Sequence, residues 1–188
     1  MRRSIALLGL LLPLLFVLVP SVLAEEHAYV GNKNCRKCHL KEHKSWAETQ
    51  MAKAFETLKP GVAAEAKTAA GLDPQKDYTT DSECLACHTV GHGKEGGFVD
   101  VATTPDHLGV GCEMCHGPGG TYTQDHLMSL KNREYKKAEV VAAGMVAEVG
   151  EAQCLACHNE KSPSFKEFDY AARKAEGLHE IFPLKYEH

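Results

Sequence analysis

CRKCH, residues 35–39, decides what this chain folds around, because the same pattern returns as CLACH at 84–88, CEMCH at 112–116 and CLACH at 154–158. All eight cysteines belong to these four pairs. Disulfides would suit an exported chain and zinc would suit Cys-x-x-Cys pairs, but neither asks for a histidine directly after each pair. With 11 histidines in 188 residues, chance supplies one there about 6% of the time, and all four about once in 10^5. Cys-x-x-Cys-His is the attachment site of c-type haem. Two thiols three residues apart add across the two vinyl groups of one haem edge, and the following histidine comes under the iron as proximal ligand. The spacing therefore predicts thioether links at Cys35, Cys38, Cys84, Cys87, Cys112, Cys115, Cys154 and Cys157. The expected proximal ligands are His39, His88, His116 and His158.

Around these motifs the chain is short. It opens Met-Arg-Arg, runs apolar through SIALLGLLLPLLFVLVP and turns polar at Glu25 after SVLA. That is the charged start, apolar middle and small-residue end of a secretory signal, expected over 1–24. Pro13 and Pro20 interrupt the apolar run, which is short for a membrane span; an uncleaved anchor is the alternative. Haem is attached after export, so the signal and the motifs agree on the periplasm of a Gram-negative bacterium. The mature part, 25–188, keeps 164 residues, and its formal charge moves from −4 to −6. No basic stripe or recognition motif points to nucleic acid, and no transmembrane segment is expected in the mature chain. A mildly acidic surface suits a partner with a basic patch.

Four haems leave about 41 residues each, too few for four private cores. They must supply much of the core, lie close together and stay partly exposed. The expected fold is mostly α with little β, one small irregular domain wrapped around four covalently bound haems. SWAETQMAKAFETL (45–58) carries Ala47, Met51, Ala54, Phe55 and Leu58 on one helical stripe and reads as a helix ended by Lys-Pro-Gly at 59–61. VAAEAKTAAG reads as a second helix stopped at Gly71, and NREYKKAEVVAAGMVAEVG as a third. TVGHGKEGGFVDV reads as a loop or short hairpin, GPGG at 117–120 breaks the chain after His116, and Asp169 can cap a helix running towards His179.

Beyond the haem sites, GNKNCRKCH, SWAETQMAKAF, LKP, LDPQKDYTTDSECLACHTVGHGKEGGF and GVGCEMCHGPGG…DH resemble, in order and spacing, the tetrahaem cytochrome c-554 family. The resemblance covers Gly31 to about His179. It implies that His126 completes the first haem and His179 the fourth, and that the second haem has no distal protein ligand. The third haem in that family takes a histidine from a segment of the form S-W-x-x-T-x-H-A-K-A, and here Met51 stands in that position. Periodicity alone favours Met51 as core packing. The resemblance favours it as an iron ligand, which raises a reduction potential relative to histidine.

Of the remaining histidines, His27 and His188 read as solvated, and His43 as a surface residue. His92, in GHG where the family carries an aromatic, is a candidate contact to a propionate or another haem. His107 is a candidate neighbour of the open haem. The leading function is electron transfer between periplasmic or membrane-associated redox proteins, a donor and an acceptor, without enzyme chemistry: no nucleophile–base or paired-carboxylate set is evident. The family's best known member resembles an acceptor of electrons from hydroxylamine oxidation. The alternative is an enzyme reducing nitric oxide or another nitrogen oxide at a five-coordinate second haem. Family members cover that haem with a longer stretch than NEKSPSFKEF, which follows the fourth motif here.

Overall fold

A computed structural model of the chain describes residues 27–183. The expected signal at 1–24 and His188 lie outside them. The described residues form short helices joined by turns: α1 (Asn32–Arg36), α2 (Leu40–Ala47), α3 (Ala64–Ala69), α4 (Ser82–His88), α5 (Cys112–His116), α6 (Lys137–Ala142), α7 (Glu151–Leu155) and α8 (Tyr170–Glu176). Single 3₁₀ turns occupy Ala54–Leu58 and Pro105–His107. Pairing of β type is limited to the isolated bridges Thr89 to Leu108 and Ser129 to Asn132. The mostly α, little-β expectation holds, and GHGKEGGF closes as a loop in which Phe98 N–H donates to Val90 O (2.8 Å).

Two elements are shorter than their sequence pattern. The apolar stripe of 45–58 does not make one helix: α2 stops at Ala47 and the chain turns before the 3₁₀ segment at Ala54. The reason is local competition and tertiary capture of carbonyls. Thr49 Oγ1 donates to Trp46 O (2.7 Å) and accepts from Ala52 N–H (3.2 Å), a side-chain turn that replaces helix bonds. Met51 O is taken by Val110 N–H (2.9 Å) and Ala54 O by His88 Nδ1 (2.7 Å). The third predicted helix is likewise reduced to α6, because Gly144 takes φ +98° beside the His27 ring. α3 and its stop match their signals. Gly71, at φ +73°, donates to Thr68 O (3.0 Å) and Leu72 N–H to Lys67 O (2.8 Å), the doubled bond of a glycine-ended helix. Asp169 caps α8 through Ala172 N–H (2.9 Å).

The apolar core is sparse and divided. Phe55, Leu58, Tyr78, Leu85 and Phe98 form one cluster, around the 3₁₀ segment and α4. Tyr122, Leu127 and Val140 form the other, against α6. With Val90 these are nine buried apolar side chains. Nine buried apolar side chains among the described residues are few for a chain of this length, which fits a core completed by the haems.

Candidate functional site

Each Cys-x-x-Cys-His motif is wound as about one helical turn. His39 N–H donates to Cys35 O and His158 N–H to Cys154 O, both at 2.9 Å. The second and third motifs lie within α4 and α5. Helical winding puts residues three and four apart on one face, so two thiols and an imidazole project together. This is the donor set that one c-type haem requires. No two of the eight cysteines are joined as a disulfide.

The four motifs touch one another in a definite order. The first and third motifs meet where α1 packs on α5; the neighbouring Cys112 thiol and burial push Cys35 well above the ordinary thiol range, whereas the Cys35 thiol, against burial, holds Cys112 below it. Cys115 and Cys154 act on each other electrostatically; burial first, and then that neighbour, raises Cys115. Burial and the Cys87 thiol push Cys157 up to about 12. α1 packs on α5 and α5 on α7, so the first, third and fourth attachment sites adjoin in that order, and the Cys87 thiol of the second acts on Cys157 of the fourth.

Second-layer contacts aim the histidines. His88 Nδ1 donates to Ala54 O (2.7 Å) and lies 3.3 Å from Thr57 Oγ1, which leaves Nε2 for an iron. The His116 and His179 rings face each other with centroids 6.4 Å apart. Two imidazoles sharing one metal ion, each nitrogen about 2.0–2.1 Å from it, put their centroids a little over 6 Å apart. His179 Nδ1 donates to Glu180 O (2.8 Å), again leaving Nε2, and Glu180 N–H is pinned to Ser45 Oγ (2.8 Å). The residues present thus fit haem, and they set His179 beside the third proximal histidine.

Of the other expected site residues, His126 is exposed, in a turn held by Asn132 Nδ2 donating to its carbonyl (2.7 Å). Met51 is half-buried in the turn after α2. His158 stacks on Phe168 at 4.3 Å. His27 is half-buried, with its Nδ1 2.8 Å from Thr121 Oγ1. His43 is half-buried, its ring 5.2 Å from Trp46. His92 lies 6.2 Å from Phe98, and its Nδ1 is 3.4 Å from Phe98 O. His107 is buried against Gly31, and neither ring nitrogen has a hydrogen-bond partner.

Sequence reasoning missed Glu113, inside the third motif. It is 2% exposed, and its carboxylate accepts from Val30 N–H (2.9 Å), Gly31 N–H (2.8 Å) and Gly119 N–H (2.6 Å). Three backbone donors satisfy the buried charge and tie the approach to the first motif to the loop after the third. The signal was an acid at a motif position where the other three pairs carry Arg-Lys or Leu-Ala. Asn32 was missed as well; its Oδ1 accepts from Cys112 N–H (3.0 Å) and joins the same two motifs.

Residues 34–117 match the family model described as cytochrome c554 and c-prime. The chain is 36% identical over 204 aligned positions to cytochrome c-554 of Nitrosomonas europaea, covering 94% of this chain and 86% of that relative. The solved structure of the reduced state of cytochrome c554 from the same organism superposes with a TM-score of 0.73 at 34% identity. That match covers 86% of this chain and 89% of that one.

Proposed function

The chain belongs to the cytochrome c554 and c-prime family, and from that premise we propose how its haems are held and what surrounds its work. It is a tetrahaem electron-transfer cytochrome with four c-type haems as cofactors. When bound, these supply one-electron ferric–ferrous chemistry. The observation that carries the function is the packing of α1 on α5 and of α5 on α7, which sets the first, third and fourth attachment sites side by side.

His39, His88, His116 and His158 are the proximal ligands, and the eight cysteines are the covalent links. His179 completes the third iron, a reading supported by the 6.4 Å separation from His116. The resemblance alone had assigned His179 to the fourth. His126 completes the first iron, and the second stays open. Met51 is then left for the fourth, giving one His/Met haem of raised potential among His/His neighbours. Residues 1–24 direct export and 25–188 form the single haem domain. The protein works in the periplasm, as a carrier rather than an enzyme, between a donor and an acceptor redox protein.

A potentiometric titration of the purified holoprotein tests this. Four one-electron waves are expected, with one well above the rest. Four waves clustered within the His/His range would exclude Met51 as a ligand. Fewer than four reducible irons would contradict the carrier reading.

A further inference from the structure

We propose that α1 and α2 form a docking face for an acidic redox protein, seated at the first haem attachment site. This rests on the electron-carrier reading given above. Residues 32–47 hold Lys33, Arg36, Lys37, Lys41 and Lys44 against the single acid Glu42. That stretch carries +4, while the rest of the chain carries −8 within a total of −4. All five cations are exposed, and none makes an ion pair among the described residues. Segregation of this kind orients a molecule in a partner's field, where a mixed surface would not.

What lies among the charges fits a protein interface. Leu40 is 58% exposed beside Lys41, so an apolar contact sits inside a charged rim. Lys33, Arg36, His43 and Trp46 also line a cleft of about 420 Å³, with Asp106 on its far wall. Asn32, Lys33 and Arg36 of α1 line this cleft, and the two cations among them face a partner's carboxylate. Burial and the Arg36 charge hold His43 below the usual histidine range, so the cleft's positive charge comes from Lys33 and Arg36. The other basic group, Lys131 to Lys137, sets four cations against Glu134, and one of them, Lys131, is engaged in an ion pair with Asp125 (2.6 Å). A docked reduced partner would pass one electron to the haem that Cys35, Cys38 and His39 would hold, the partner's centre being oxidised and that haem reduced, with no bond made or broken.

The test uses the holoprotein and flavodoxin, a small acidic electron carrier, as probe. Binding is measured by titration calorimetry at low and high salt for the wild type, for Lys33→Glu/Lys41→Glu/Lys44→Glu, and for the control Lys136→Glu/Lys161→Glu/Lys166→Glu. Both variants change the total charge equally, and both spare the residues between the haem cysteines. The first is expected to weaken low-salt binding at least tenfold and the control by less than threefold, with the difference collapsing at high salt. Equal losses in the two variants, no loss in the first, or no wild-type binding would overturn the proposal. Binding to phosphatidylglycerol vesicles through the same lysines without binding to flavodoxin would overturn it too, in favour of a membrane surface. Reduction by neutral lumiflavin semiquinone separates the two readings. If all four irons are reduced in every variant, the carrier reading stands whatever becomes of the docking face.

Discussion

At the scale of single residues, the iron ligands divide into those that spacing reveals and those that only folding brings together. The proposed proximal histidines are legible in the sequence because each is tied to its own cysteines by one helical turn. The distal ligands come from far along the chain, and no local pattern ties His179 to His116; only the Ser45–Glu180 bond and the ring-to-ring geometry do so. His179→Ala should therefore open the third iron. Carbon monoxide uptake by the ferrous protein is expected to rise from one per chain to two, and uptake unchanged at one would remove His179 from the ligand set. Met51→His should replace a thioether by an imidazole and lower one reduction potential by on the order of 0.1 V, within the ~0.8 V that axial ligands span. Spectroelectrochemistry reads that shift directly, and a variant with all four potentials unmoved would return Met51 to packing.

At the scale of elements, helix signals succeeded where the backbone kept its own hydrogen bonds and failed where the tertiary fold took them. α3 and α8 carry their stop and cap in sequence and end where these predict. The 45–58 stripe has helical periodicity, yet Val110 and His88 claim the carbonyls of Met51 and Ala54. No periodicity could show that, since the donors are His88 of the second motif and Val110, two residues before the third. Glu113 is the reverse case, a single buried acid joining two motifs 77 positions apart. Glu113→Ala would strand the backbone donors of Val30, Gly31 and Gly119. A loss of about 3–5 kcal/mol is expected in guanidinium unfolding of the holoprotein, the cost of breaking a buried charged network. A loss below 1 kcal/mol would show that water replaces the carboxylate.

At the scale of the whole molecule, nine buried apolar side chains and short helices describe a chain whose cohesion depends on what it binds. The sequence made this legible through length against motif count, since four haems in about 160 residues must share one core. It did not reveal the order of the sites, which depends on contacts such as Cys87 with Cys157 across 70 positions. The same chain made without haem attachment should show no cooperative thermal transition by circular dichroism. A sharp transition would mean that the polypeptide core suffices.

The central claim is the ligand set: two His/His irons, one His/Met iron and one open iron. Near-infrared magnetic circular dichroism of the oxidised holoprotein reads it most directly, because each ligand pair gives its own charge-transfer band. The account predicts bands for low-spin His/His and His/Met haems together with one high-spin centre. A spectrum of four His/His haems, with neither a methionine band nor a high-spin signal, would contradict it.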